Sequence, residues 1–409
     1  MADKKNNHEI KNHQSSLKTA KVFKKGDDLF ACSRCGTCLA ICPVYKNTLD
    51  ESFAPRGKLS LIEAVANKRI PFTDRLSKKI YTCTMCDFCT SECPSGVKVN
   101  ELFAAVREDL VENKKYPEVL DYLKDKIEKA YNITFDSNQG RTDWLKQVPG
   151  TDIGDYVKQT AEVVYFVGCV SSFSPRSFSI PRAIVKLLKI ANVDFTLLSE
   201  DEWCCGFPLL GSGMRQEVKT LAEHNIEAVI KRNAKVLLTS CPSCFHTWKH
   251  EYEKLTGIKA GFEIMHVSQY LLKLVKEGAI KPGSLNIKVT YHDPCDLGRN
   301  SGIYDEPRQL IKSIPDVELI EMASAKKQAN CCGGGGNIES LDPALSAKIA
   351  DNRAEEVLLT GAEIALSACQ QCERTMGTAL KKKKSEGGVK LKAMDVAELL
   401  LKSLESEQN

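Results

Sequence analysis

No run of about eighteen apolar residues occurs in this chain, so no helix is expected to cross a membrane. Its opening stretch, MADKKNNHEIKNHQ, has no apolar core of the secretory kind, and the expected location is the cytoplasm. Charge of one sign is missing as well. The 57 Lys and Arg stand against 53 Asp and Glu, and a formal +4 gives no field for nucleic acid or for an anionic membrane. No G-x-G-x-x-G opens a helix, which removes the usual nicotinamide and flavin fingerprint. What the chain does have is cysteine: 18 in 409 residues. In a reducing compartment so many thiols point to metal binding or redox chemistry and not to disulfides.

The thiols fall into four groups. Cys32, Cys35, Cys38 and Cys42-Pro43 form one C-x-x-C-x-x-C-x-x-x-C-P motif, and Cys83, Cys86, Cys89 and Cys93-Pro94 form a second. This spacing lets one loop hold three irons of a [4Fe-4S] cluster, while the fourth cysteine of each motif serves the other cluster. The expected ligand sets are therefore Cys32, Cys35, Cys38 with Cys93, and Cys83, Cys86, Cys89 with Cys42. Structural zinc gathers its four ligands as two pairs, so a triplet plus C-x-x-x-C-P, present twice, disfavours it. Between the motifs, Leu59, Ile62 and Ala66 keep helical spacing. Beyond them Val99, Leu102, Phe103, Val106 and Leu110 predict an amphipathic helix, making this unit helical.

The other two groups are quintets: Cys169, Cys204-Cys205, Cys241 and Cys244, then Cys295, Cys331-Cys332, Cys369 and Cys372. They repeat at offsets of 126 to 128 residues, too long for a solenoid unit, and mark a duplicated domain. Each opens with a strand, 163–167 or 287–291, before its first cysteine. Further strands are expected at 195–198, 236–239, 317–320 and 364–366, with helices near 182–190 and from about 215. Strand–helix alternation predicts a parallel sheet whose ligand loops follow strand carboxyl ends. Five thiolates exceed the four positions of zinc. Gly206 and the run Gly333 to Gly336 let backbone approach a bulky metal framework. A vicinal disulfide or a thioredoxin-like C-x-x-C at Cys241/Cys244 and Cys369/Cys372 are the other readings, and neither accounts for two matching quintets.

The expected class is α+α/β: an N-terminal α-helical double-cluster ferredoxin domain, then two duplicated α/β domains with parallel-sheet cores. The expected boundaries are a disordered arm at 1–27, the ferredoxin domain at 28–135, a linker at 136–154, and duplicated domains at 155–280 and 281–405. With its two CCG quintets behind a helical ferredoxin, the chain resembles the D subunits of the heterodisulfide reductases of cytochrome-containing methanogenic archaea over about residues 28 to 400. That resemblance implies two cubane [4Fe-4S] clusters on the ferredoxin cysteines and a noncubane [4Fe-4S] cluster on each quintet. It implies ten catalytic quintet cysteines and reduction of the coenzyme M–coenzyme B disulfide between the two iron sites. It also implies electrons from reduced methanophenazine through a membrane cytochrome b subunit, with peripheral attachment to the cytoplasmic membrane. The alternative is an electron-transfer subunit of a glycolate, lactate or glycerol-3-phosphate oxidoreductase, which shares the module order.

Auxiliary residues are read more openly. His246 and His292 flank the quintets and are candidates to protonate a released thiolate, or else are structural hydrogen-bonding histidines. Arg176, Arg182, Arg215, Arg299, Arg308, Lys326 and Lys327 lie near the quintet loops in sequence. They are candidates for pairing with a substrate anion, or else are ordinary surface cations.

Overall fold

The computed structural model describes residues 29–148, 152–387 and 391–406, and the arm expected at 1–27 lies outside them. The first part is helical, with Pro55–Ala66 and Asp74–Tyr81 between the two cysteine motifs and Val99–Glu112 after them. Pro43 and Pro55 each occupy the first turn of a helix, where a missing N–H costs nothing. Val99, Leu102, Phe103, Val106 and Leu110 are all buried on one face of Val99–Glu112, as their spacing requires. The polar segment read as a linker is in fact anchored: 3-10 turns over Asn138–Gln147 bury Arg141, Trp144 and Leu145.

Two four-stranded parallel sheets follow. The first consists of β1 (Val163–Phe166), β2 (Phe195–Leu197), β3 (Val236–Thr239) and β4 (Glu263–His266), in the order β2-β1-β3-β4. The second consists of β5 (Ile287–His292), β6 (Val317–Leu319), β7 (Ile364–Ser367) and β8 (Lys392–Asp395), in the order β6-β5-β7-β8. β1 is buried along its whole length, as a parallel strand covered by helices on both faces should be. In each sheet the order reverses between the two central strands. The carboxyl end of such a pair is where an open α/β sheet forms its crevice. Cys169 and Cys241 follow β1 and β3, and Cys295 and Cys369 follow β5 and β7.

One apolar core spans both sheets. Ser179–Ile190 packs on Val396–Ser406 and Val267–Lys276 packs on Asp305–Lys312, so helices of the two halves interleave. Each fully buried Leu, Ile or Val there contributes roughly 1.5–3 kcal/mol. Leu187, Leu271 and Leu400 are completely covered. The edge strands β4 and β8 are absent from the sequence reading, and both end in a helix cap. His266 caps Val267–Lys276 by accepting from Ser268 N at 3.2 Å, with Gln269 Oε1 accepting from His266 N. Asp395 does the same for the last helix, accepting from Ala397 N at 2.9 Å while Glu398 Oε2 accepts from Asp395 N.

Burial pushes the pKa of His266 down to about 4. Between roughly 6.5, where an unfolded imidazole titrates, and about 4, the unfolded chain binds a proton that the folded chain refuses. Stability is therefore complete above that window and falls as the pH drops through it. His266→Asn, which keeps a capping acceptor, should flatten this acid limb by roughly 2–3 kcal/mol when unfolding is followed from pH 6.5 to 4.5. An acid limb as steep as that of the unaltered chain would contradict it.

Candidate metal centre

The carboxyl ends of the two sheets face a common chamber. A cavity of about 390 Å³ is lined by nine of the ten quintet cysteines, all but Cys331. Part of its remaining wall is the ferredoxin-unit helix Val119–Ala130, which contributes Val119, Tyr122, Leu123 and Lys126. The vicinal pairs are carried in by tight glycine turns. Gly333 has φ +85°, and a Cβ there would meet Ser346 O at 2.5 Å. Its counterpart Gly206 has φ +84° against Val218. The halves are locked across the chamber by Ser243 Oγ donating 2.7 Å to Asp296 Oδ2 and by Gln370 Nε2 donating 2.6 Å to Ser240 Oγ.

None of the 18 cysteines is in a disulfide. Cys204 lies in hydrogen-bond contact with Cys169, and Cys205 with both Cys204 and Cys244, the last at 3.3 Å between sulfurs. The donated hydrogens of Cys204 and Cys244 pull the Cys205 thiol down to about 6, whereas the shared hydrogen with Cys204 and burial push Cys169 up. The second quintet repeats this at Cys332, held well below the ordinary range by Cys331 and Cys372. It departs in one respect: the neighbour of Cys331 is Cys86 of the second ferredoxin motif, in the place that Cys169 takes beside Cys204. Backbone N–H groups point at sulfur throughout, from Gly206 to Cys204 at 3.4 Å, from Gly333 to Cys331 at 3.3 Å and from Cys372 to Cys369 at 3.4 Å. Soft sulfur donors in a mostly apolar chamber, with amides aimed at them, fit iron–sulfur groups.

In the ferredoxin unit, Cys32, Cys35, Cys38 and Cys93 share one small cavity, whose wall Cys89 also touches. Cys42 instead lies among Cys83 and Cys86, and Cys89 among Cys83, Cys86 and Cys42. The seam to the second half is close-packed. Arg299 donates from Nε to Cys86 O at 2.8 Å and from Nη1 to Ala329 O at 2.8 Å, and its guanidinium lies over the Phe88 ring.

The auxiliary candidates divide. His292 lies behind the chamber wall without lining it, a ring nitrogen within 4.8 Å of the sulfurs of Cys332 and Cys372. Burial and the neighbouring Arg353 push it down to about 3, so it is neutral at physiological pH. Arg353 Nε donates 3.0 Å to its Nδ1, which leaves the hydrogen on Nε2. His246 faces a different cavity of about 700 Å³ together with His250. None of the seven sequence-nominated cations lines the thiol chamber. Arg215 pairs with Glu251, Arg308 with Asp293 and Glu321, and Lys326 with Asp305, while Lys327 gives its carbonyl to Arg299. Arg176 reaches Thr378, and Arg182 reaches Trp144 O. The cations that do line the chamber are Lys126 and Arg374. Arg374 was findable, because it is the counterpart of His246 in the repeat. Lys126 comes from another unit and left no such signal.

Comparison with known proteins follows the same division. The cysteine-rich domain family matches residues 163–249 and 289–377, and the 4Fe-4S dicluster domain family matches 28–97. The D subunit of the dihydromethanophenazine:CoB–CoM heterodisulfide reductase of Methanosarcina mazei is 33% identical over 369 residues, covering 85% of this chain and 88% of that one. EtfAB:quinone oxidoreductase of Syntrophomonas wolfei is 29% identical, covering 92% of this chain and 58% of its own. Among solved structures, a hypothetical protein from Helicobacter pylori shares the fold with a TM-score of 0.60 at 10% identity, covering 94% of this chain and 76% of that one.

The seam to the ferredoxin unit is the most constrained backbone of the site. A Cβ on Gly336 (φ +62°) would meet Cys83 O at 2.1 Å, while one on Gly257 (φ +74°) would meet nothing. Gly257→Ala should cost only the left-handed strain, about 1–2 kcal/mol. Gly336→Ala should cost a further ~1–3 kcal/mol from overpacking. Thermal denaturation of the two variants checks this, and equal losses would contradict the close approach.

Proposed function

Because the chain belongs to the family of heterodisulfide reductase D subunits, iron–sulfur oxidoreductases that bind [4Fe-4S] clusters, we propose that it reduces the coenzyme M–coenzyme B disulfide in the chamber between its two quintets. The observation that carries this reading is the single cavity bordered by both quintets. A disulfide laid across it presents one sulfur to each half. In the proposed reaction the S–S bond takes up two electrons and two protons and leaves as two thiols.

The proposed cofactors are a cubane cluster on Cys32, Cys35, Cys38 and Cys93, another on Cys83, Cys86, Cys89 and Cys42, and a noncubane cluster on each quintet. Such clusters, when bound, supply one-electron redox chemistry and iron that has affinity for thiol sulfur. The chain does the rest. Ile133, Leu123, Pro242 and Pro294 give the chamber an apolar lining, which strengthens charge interactions beside them. Lys126 and Arg374 offer cations to an anionic substrate, and Arg374 is itself steadied by Glu339 and Gln371. His292, neutral with its hydrogen on Nε2, does not line the chamber and stands behind Cys332 and Cys372. Gln370 and Asp296 hold the halves at a fixed separation, so the bound sulfurs are positioned by the fold.

Electrons would enter at the first motif, where Cys35 is exposed, pass to the second motif, and reach the quintets where Cys86 meets Cys331. The proposed donor is a membrane cytochrome b subunit fed by dihydromethanophenazine, the carrier named in the relative from Methanosarcina mazei. No helix among the described residues is long and apolar enough to cross a membrane, so attachment would run through that partner. A second reading, electron conduction without disulfide chemistry, draws on the similarity to EtfAB:quinone oxidoreductase.

The test separates them. With a strong artificial donor, the intact protein should reduce the disulfide. Cys205→Ala and Cys332→Ala should each abolish turnover even when the opposite quintet keeps its iron, because one side cannot retain both sulfurs. Silence of a fully iron-loaded protein would favour the conduit, and normal turnover in a verified single-quintet variant would exclude the paired mechanism.

A further inference from the structure

Among the described residues, two cations inside the ferredoxin unit have no carboxylate to meet them. Lys58 is 1% exposed and Arg107 is 0% exposed. Lys58 Nζ donates 2.6 Å to Thr82 O and sits 5.4 Å from the Phe103 ring centroid. Arg107 donates from Nη2 to Ile80 O at 3.3 Å, Tyr81 O at 3.1 Å and Cys83 O at 3.2 Å, and from Nη1 to Gly211 O and Gly336 O. Every acceptor is a backbone carbonyl. A buried charge without an opposite charge is among the costliest features a fold can carry.

The missing anion is next to them. The groups that act electrostatically on Lys58 include Cys83, Cys42 and Cys89, and Cys83 acts on Arg107. As thiols these residues would leave Lys58 and Arg107 without a negative partner of their own, while Asp87 and Arg299 act on Cys89 and Cys86 of the same motif. As four thiolates on a cubane core they carry a net negative charge that offsets the two cations, with one negative charge more on reduction. The outer motif is built differently. Its nearby guanidiniums are already satisfied, Arg34 by Glu63 and Arg56 by Glu51, and Cys35 is open to solvent.

We propose that Lys58 and Arg107 are the charge-compensating residues of the inner ferredoxin site, and that they raise its reduction potential so that electrons arriving at the exposed motif are drawn inward. This rests on the reading that Cys83, Cys86, Cys89 and Cys42 hold a cluster. Two cations in a low-dielectric interior favour an added electron more strongly than solvated ones do. Net charge around a cluster is one of the levers that set its potential. The inner site is also the one whose Cys86 touches Cys331, so the gradient points at the quintets.

The experiment is an anaerobic redox titration of the intact, iron-loaded protein followed by electron paramagnetic resonance, with Cys35→Ser used to assign the outer signal. Lys58→Met should lower the midpoint of the inner site by at least tenfold in its electron-uptake equilibrium, which is 59 mV for a one-electron couple. The outer midpoint should stay in place. Lys58→Gln keeps a donor for Thr82 O without the charge and should show the same fall. Arg107→Lys keeps the charge while losing several carbonyl bonds and should hold the wild-type potential. An inner midpoint unmoved in Lys58→Gln, or one that moves as far in Arg107→Lys as in Lys58→Met, would overturn the proposal. Absence of any ferredoxin-type signal from the unaltered protein would overturn the reading beneath it.

Discussion

Everything in this chain depends on two parallel sheets presenting their carboxyl ends to one chamber. Each sheet reverses strand order between its central pair, which opens a crevice there. The duplication supplies a second crevice, and the shared core of interleaved helices fixes the two face to face. Nine thiols then share about 390 Å³, a space that neither half encloses alone. The costs are visible nearby. His292 is kept neutral, vicinal cysteines are carried in by left-handed glycine turns, and backbone amides are diverted toward sulfur.

The second constraint is the asymmetry between the halves. The quintets match closely in sequence, yet their settings differ because a ferredoxin cysteine, Cys86, stands beside the second of them. Gly335 and Gly336 admit the backbone of Thr84 and Cys83, Arg299 ties Cys86 to Ala329, and Cys86 meets Cys331. The first half also meets the ferredoxin unit, Tyr81 reaching Ser212 O and Arg107 reaching Gly211 O, but there Cys169 holds the place beside Cys204 that Cys86 takes beside Cys331. There Arg141 reaches Cys169 at 3.7 Å and pairs with buried Glu202. In the proposed electron route this contact makes the second half the inlet side and the first half the remote one.

Much of this was legible in the sequence, for physical reasons that differ by element. Cysteine spacing reports ligand geometry directly, and the central strands are continuous apolar runs because they are covered on both faces. β4 and β8 were not legible. Their burial runs from exposed to buried along four residues, as edge strands do, so no period of two appears. The stretch read as a linker contains Trp144 and Arg141, whose burial depends on partners such as Glu202, 61 residues beyond Arg141. The nominated cations failed because nearness in sequence to a loop says nothing about which side of it a long side chain takes. Arg308 turned to Asp293 and Glu321, while Lys126 arrived from a helix of another unit. The helix Val99–Glu112 was fully readable because its apolar stripe alone decides its burial.

The central claim is that both quintets carry iron and act on one disulfide in a common space. The most direct measurement is anaerobic electron paramagnetic resonance of the oxidised protein, loaded to roughly sixteen irons per chain in four clusters, before and after addition of the coenzyme M–coenzyme B disulfide and of each thiol alone. The account predicts an iron-centred signal that appears or changes on addition and differs according to which thiol is bound. A fully loaded protein whose spectrum is indifferent to all three would contradict it.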